Sequence, residues 1–229
     1  MSIFDNIKLP KLIHIVPSKF NGNIEIWQSG KTTKLIADGT VQSVNWDSPV
    51  AEKMVFGRMV QVLKQQEPNL RKVLVFGLGG GAMQNLISKS FPGVEIISVE
   101  IDPVMIDTAK EFFNLDQIPN HRVINDDAFR VVVEPEKFDL TIQSFDAVVI
   151  DIYCGSKYPD LGKSGNFFAS IKKILHPGGL AVFNRIYLQS HQYDVDLFVK
   201  DLSEFFTDVN TTTVAGKTNS DNILIYGRA

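Results

Sequence analysis

The chain contains a single cysteine, Cys154, in 229 residues. One thiol excludes an intrachain disulfide and suits a reducing compartment, so a cytoplasmic protein is expected. Histidine is scarce as well. His14, His121, His176 and His191 show no metal-ligand spacing, and no metal is expected. No charge of one sign dominates: 23 Lys and Arg stand against 26 Asp and Glu, a formal net charge of −3. Phosphate backbones and anionic membranes are bound by clustered cations, so neither nucleic acid nor a membrane is an expected partner. No apolar run approaches the roughly 20 residues of a transmembrane helix. The opening stretch MSIFDNIKLPKL lacks a basic segment followed by a long apolar core, and no secretory signal is expected. Internal repeats, low-complexity tracts and long charge runs are absent.

What remains is an ordinary globular composition, 44% hydrophobic and 21% charged, in a length that suits one domain with a small appendage. The chain changes character near residue 46. Before it, short β-like pieces alternate with turns. NGNIEIWQSG alternates Ile24 and Ile26 up to Ser29-Gly30, and TKLIADGTVQSV sets Asp38-Gly39 between two apolar runs, a strong hairpin signal. Residues 12–45 therefore read as a small antiparallel β unit.

From Pro49 the period changes. Val50, Met54, Val55, Met59, Val62 and Leu63 recur at helical spacing and predict a helix over 49–65. Strands and helices then alternate: strand 73–76, helix 81–90, strand 94–99, a helix from Pro103, strand 122–125, a short helix near 127–133, and strand 145–151. Helix 165–175 ends at His176-Pro177-Gly178-Gly179, where His176 reads as a helix C-terminal cation. Strand 180–183, helix 194–206 and strands near 209–214 and 222–226 follow. This alternation implies a mostly parallel sheet with helices on both faces, and ligands in such sheets sit at the carboxyl ends of the strands.

Those strand ends carry the informative residues. VLVFGLGGGAMQNL, residues 73–86, runs an apolar strand into Gly77, Gly79, Gly80 and Gly81 and then into a helix. A glycine turn lets backbone N–H groups approach a ligand at the positive end of a helix. Glu100 and Asp102 end the second strand and Asp126-Asp127-Ala128 follow the third, all candidate cofactor-binding residues with the glycine turn, and Asp151 ends the fourth. Glu100 follows Gly77 by 23 positions, a spacing at which an acid accepts from both hydroxyls of a ribose. Asp127, beside Ala128, is placed to accept from an adenine amine or to cap the helix that follows, with Asp126 as the other candidate cap. Asp151 would face the reactive end of a cofactor, to take a proton from a nucleophile or bind a cationic acceptor. Gly77-x-Gly79-x-x-Ala82 also fits a dinucleotide fingerprint, but that pattern does not account for Asp127, Asp151 or the preceding β unit.

Taken together, these residues resemble the spermidine synthase family, the polyamine aminopropyltransferases, within the class I S-adenosylmethionine methyltransferase fold. The resemblance runs from about residue 23 to the end, through IEIWQSGKTTKLIADGTVQS, the glycine turn, VEIDP, NDDAF, DAVVIDIY and the LHPGG turn. It implies an α/β, seven-strand Rossmann-like fold with an N-terminal β unit (1–48) and a cofactor-binding domain (49–229). It implies that the glycine turn and Glu100 hold adenosine, that Asp127 binds adenine, that Asp151 takes the proton of the attacking amine, and that Gln28 and Gln42 lie over the cofactor. A homodimer is also implied.

The departures from the family bear on chemistry. Its glycine turn usually reads G-G-G-D-G-G, with the acid facing the amino group of decarboxylated S-adenosylmethionine; here Gly80 stands there. A tyrosine that lines the polyamine site corresponds to Ala51 in DSPVAEKM, and the second acid of D-S-S-D-P to Cys154 in DIYCG. An ammonium taken out of water needs charge pairing or several hydrogen bonds. The missing acids therefore favour S-adenosylmethionine over its decarboxylated form. The chain looks more like the spermidine synthase-like paralogues with G-L-G-G-G and D-x-Y. In the loop YCGSKYPDLGKSGN, a candidate lid, Tyr153 is a candidate acceptor-positioning residue, Asp160 a replacement acid, and Cys154 has no neighbouring histidine to activate it. The expected function is methyl or related alkyl transfer to a small-molecule acceptor. The alternatives are a true aminopropyltransferase, a nucleoside-binding regulator without catalysis, and a nicotinamide-dependent enzyme.

Overall fold

The structure is a computed structural model that describes residues 9–153, 165–188, 192–215 and 220–229. Four strands open the chain: β1 (Lys11–Ser18), β2 (Gly22–Ser29), β3 (Thr32–Ala37) and β4 (Thr40–Val44). They pair in sequence order as an antiparallel sheet. Gly30 and Gly39 turn two of its hairpins at positive φ, which glycine adopts without the steric cost of a Cβ. One register shift matters for the site. Leu35 pairs with Ser43 and Ile36 with Val41, so Gln42 is the extra residue of a bulge. A bulge re-aims the side chain it carries.

Helix α1 (Val55–Gln66) leads to the second sheet. The helical period predicted from residue 49 is interrupted: residues 51–53 form a single 3-10 turn, and Met54 is extended at φ −77 and ψ 167. The alternation that follows is as expected: β5 (Lys72–Phe76), α2 (Ala82–Ser90), β6 (Glu95–Glu100), α3 (Pro103–Phe113), β7 (His121–Asn125), α4 (Ala128–Val133), β8 (Phe145–Ile150), α5 (Gly165–Ile174), β9 (Leu175–Leu188), α6 (Gln192–Ser203), β10 (Thr207–Val214) and β11 (Ser220–Arg228). The order across the sheet is β10-β11-β9-β8-β5-β6-β7. β5 to β9 pair in parallel, and β11 and β10 close one edge antiparallel.

β9 is far longer than the strand 180–183 read from hydrophobicity, because it starts at Leu175, paired with Phe145. His176 is thus in a strand and not a helix end. Its Nε2 lies 3.3 Å from Asp146 Oδ1, and Asp146 Oδ2 accepts from the N–H groups of Arg71 and Lys72 at 2.7 Å.

The sheet is covered on both faces, as its continuous apolar strands require; all six residues of β8 are buried. One core joins β5, β8 and β9 to α1 and α2, and another joins the same sheet to α4, α5 and α6. A third, smaller core seats Ile24, Ile26, Leu35 and Ala37 of the four-strand sheet on Met105 and Phe113 of α3. The N-terminal sheet is thereby held beside the carboxyl ends of β5 and β6. The chain order reverses between β5 and β8, and a crevice opens at that point.

Candidate active site

The glycine turn lies at the crevice. Gly77, Gly79 and Gly81 have φ of 95, 52 and 74. A Cβ on Gly77 would lie 2.1 Å from the Asp151 carbonyl oxygen, so the turn packs directly on the end of β8. Gly81 caps α2 and lies against Leu115. Gly80 faces the N-terminal sheet instead: a Cβ there would meet Ser43 Oγ at 3.0 Å and the Phe113 ring at 3.1 Å. Neither Gly80 nor Gly81 lines the crevice, whereas Gly77 and Gly79 do.

The crevice comprises two adjoining cavities with about 790 and 900 Å³ of open space. They share Gln42, Gly77, Leu78, Gly79, Asp151 and Tyr153. The first cavity is the acidic one. Glu100 at the end of β6 lines it, with Asp126, Asp127 and Ala128 after β7. Leu78 N–H donates to Glu100 Oε2 at 3.1 Å and Asp102 N–H to Oε1 at 3.0 Å. Burial pushes the Glu100 carboxyl up to about 7, against the pull of those backbone N–H groups. A carboxylate in that state gains from hydroxyl donors, which fits a vicinal diol. Asp127 caps α4, accepting from Phe129 N–H at 2.8 Å and Arg130 N–H at 3.2 Å. Both bonds end on Oδ1, so the cap does not occupy Oδ2 and the two readings of this residue are compatible. Asp126 pairs with Arg130 Nη1 at 2.9 Å and is not the cap.

Besides Gly80 and Gly81, two further residues expected at the cofactor line neither cavity. Asp102 is fully buried and lines neither cavity. It caps α3 through Val104 N–H at 3.0 Å, and it accepts from Ser18 Oγ and from Asn21 Nδ2 at 2.6 Å. It therefore fixes the β1–β2 turn, whose Phe20 and Asn21 form a wall of the first cavity. Gln28 is exposed on β2, paired with Lys11 and Thr33, and lines neither cavity. Gln42 does line both, re-aimed by its bulge.

Asp151 stands where the cavities meet. Burial pushes its carboxyl above the usual carboxylate range, and a hydrogen bond from Asn184 opposes that shift. Asn184 Nδ2 donates to Asp151 Oδ1 at 2.7 Å, and Asn222 Nδ2 donates to Asn184 Oδ1 at 3.0 Å. Tyr153 donates its hydroxyl to the Asn184 carbonyl at 3.0 Å. Asn184 and Asn222, from β9 and β11, line the second cavity with Thr40, Ser43 and several apolar residues. Neither asparagine belongs to a motif, and no signal in the sequence marks them. Cys154, Asp160 and the candidate lid lie outside the described residues. Among the described residues no cluster of His, Cys, Asp and Glu is arranged to hold a metal ion, and no helix is long and apolar enough to cross a membrane.

The sheet order and the placement of the crevice define a class, the seven-strand α/β fold of the methyltransferase type. Within it, the family model of the spermine/spermidine synthase domain matches residues 52–229. The chain belongs to the spermine/spermidine synthase family. It is 36% identical over 124 residues to the eEF1A lysine and N-terminal methyltransferase homolog of Drosophila melanogaster, covering 51% of this chain and 18% of that protein. It is 28% identical over 146 residues to the polyamine aminopropyltransferase of Vibrio vulnificus, covering 63% of this chain and 48% of that protein. The chain thus spans less than half the length of either relative. In fold it resembles a probable spermidine synthase from Corynebacterium glutamicum, with a TM-score of 0.76 at 19% identity over 94% of this chain and 79% of that one.

Proposed function

We propose that this chain is a transferase that uses S-adenosylmethionine and passes its methyl group, or a related alkyl group, to an acceptor whose proton Asp151 receives. The observation that carries this reading is the division of the crevice. Three acids line the first cavity, and Asp151 sits at its junction with the second. The donor supplies a carbon activated by a sulfonium. The first cavity supplies the binding: Glu100 accepts from the ribose hydroxyls, the Asp127 Oδ2 faces the adenine amine, and Phe20, Asn21 and the Gly77–Gly79 backbone enclose them. Asp151 holds the acceptor's proton at Oδ2, since Oδ1 is held by Asn184. Positioning and one base are what such a reaction asks of a protein. The preference for S-adenosylmethionine rests on the family resemblance alone: it sets Gly80 at the position of the acid that would pair with the ammonium of a decarboxylated tail and repel a carboxylate, although Gly80 here packs on Ser43 and Phe113 and lines neither cavity.

Aminopropyl transfer from decarboxylated S-adenosylmethionine is the second reading. The polyamine aminopropyltransferase relative and the position of Asp151 favour it. Calorimetric titration with S-adenosylmethionine, its decarboxylated form, methylthioadenosine and NAD separates the readings. Tightest binding of S-adenosylmethionine is the expected result. Tightest binding of the decarboxylated form would establish the second reading, and binding of NAD alone would overturn both.

A further inference from the structure

Gln84 takes no part in the binding described above and lines neither cavity. It is fully buried in the first turn of α2. Its Nε2 donates to the Gly77 carbonyl at 3.2 Å and to Ser98 Oγ on β6 at 3.1 Å. Ser98 Oγ lies 2.9 Å from His121 Nε2 on β7, so the amide is braced against two strands of the sheet. The reverse orientation of the amide would set Oε1 against the Gly77 oxygen, two acceptors facing each other.

The Gly77–Leu78 peptide carries this contact to the donor's side. It is trans, so its C=O and N–H point in opposite directions. The carbonyl meets Gln84, and the Leu78 N–H donates to Glu100 Oε2 at 3.1 Å. The Gly77 N–H is fixed on the Val99 carbonyl at 2.9 Å. The backbone at Gly77, with φ of 95, has no Cβ to resist rotation of the peptide that follows. Gln84 supplies that resistance. An amide whose carbonyl accepts a hydrogen bond is also the stronger donor at its N–H.

We infer that Gln84 is a positioning residue for the donor: it holds the Gly77–Leu78 peptide so that the Leu78 N–H meets the carboxylate that receives the ribose. The inference rests on the donor reading above. Among the described residues, the ionisable groups around Glu100 are all acids: Asp102 beside it, and Asp126, Asp127 and Asp151 across the first cavity. None of them favours its ionised form. The backbone N–H groups of Asp102, Leu78 and Ile101 do. With Gln84 gone, the contribution of Leu78 weakens and the carboxyl is harder to ionise.

The test is calorimetric titration of the parent and Gln84→Met with methylthioadenosine, which has the ribose and adenine and no ionisable tail, from about pH 5.5 to about 9. Methionine keeps the volume and removes the amide. For the parent, affinity should rise up to about pH 7 and level off. For the variant, the break should lie about one pH unit higher, with affinity about tenfold weaker below pH 7 and mostly regained above the new break. Ser98→Ala removes the brace and leaves Gln84, so its break should move the same way by less. It serves in place of Gln84→Met, read the same way, if that variant does not fold. Added to Gln84→Met, it should move the break no further, because both act through one contact. A uniform loss of affinity with an unmoved break would assign Gln84 to packing and overturn the inference, as would unchanged binding. A parent that binds methylthioadenosine with no slope below pH 7 would also overturn it and leave the donor reading standing. A parent that binds neither methylthioadenosine nor S-adenosylmethionine overturns both.

Discussion

Asn184 donates its side-chain amide to Asp151 at 2.7 Å and is itself held from behind by the Asn222 amide. The second bond fixes the orientation of the first: with Oδ1 of Asn184 occupied by a donor, its Nδ2 must face the carboxylate. This pair stabilises the ionised form of Asp151 against the burial that disfavours it. Asn184→Leu should therefore raise the Asp151 pKa further. A base works only when deprotonated, so activity is lost as pH falls through that pKa, and the acid limb of the kcat/KM profile should move upward. A hydrogen bond to a charged group contributes about 1.5–3 kcal/mol, or about 1 to 2 pH units. Asn222→Ala should shift the limb the same way by less. A uniform loss of activity with an unmoved limb would assign both asparagines to packing.

Glu100 gives the first cavity its own pH dependence. Its folded pKa, about 7, lies above the ordinary carboxyl value of 4.5. For the free protein this site's contribution to stability falls as pH rises from about 4.5 to 7, because only the folded state must ionise a buried acid. Ribose hydroxyls donating to the carboxylate favour the charged form, so binding releases a proton. Affinity for the donor should rise with pH up to about 7, by at most tenfold per unit, and level off above it. Glu100→Gln should bind more weakly and lose that slope. Calorimetry in buffers of different ionisation enthalpy reads the proton directly; no proton release below pH 7 would separate Glu100 from the ribose.

These two relationships differ in how legible they were. The glycine turn, Glu100, Asp127 and Asp151 can be read from the chain because each follows its own apolar strand, and a parallel sheet brings those ends together. The length of β9 was hidden by His176-Pro177-Gly178-Gly179, which reads as a break although Leu175 already pairs with Phe145. Asn184 and Asn222 are invisible to that logic, because they come from β9 and its antiparallel neighbour and meet only through register. Gln28 and Gln42 looked equivalent in sequence. The bulge in β4 separates them, and its single extra residue has no local signature. Asp102 stands two residues from Glu100 and reads in sequence as sharing its task. Its partners Ser18 and Asn21, more than 80 positions away, show otherwise.

Asp102 is expected to couple stability to donor binding. Three donors converge on this buried carboxylate, and its removal strands the Ser18 hydroxyl and the Asn21 amide inside the protein. Asp102→Ala should cost about 3 kcal/mol of unfolding free energy. It should also weaken donor binding, since Phe20 and Asn21 would no longer be held at the cavity wall. Asp102→Asn, which keeps an acceptor, should recover much of both. Chemical denaturation and donor titration of the two variants provide the check. Loss of stability with unchanged donor affinity would show that the β1–β2 turn holds its place without this clamp.

By the family resemblance Gly80 takes the position of the acid that meets the tail of a decarboxylated donor, and under the proposed function a carboxylate added there is the direct way to convert donor preference. The local packing opposes it. A Cβ at Gly80 meets Ser43 Oγ at 3.0 Å and the Phe113 ring at 3.1 Å, closer than side chains ordinarily approach. Phe113 belongs to the small core that seats the N-terminal sheet on α3, so it does not move freely. Gly80→Asp alone should lose about 1–3 kcal/mol by overpacking and should bind both donors more weakly. Gly80→Asp with Phe113→Leu makes room for the side chain. The double variant should recover part of the stability and favour decarboxylated S-adenosylmethionine over S-adenosylmethionine relative to the parent. Calorimetric titration of the single and double variants with both donors is the measurement. A converted preference in the single variant would show that Ser43 and Phe113 yield to the new side chain. An unconverted double variant would show that position 80 does not face the donor's tail.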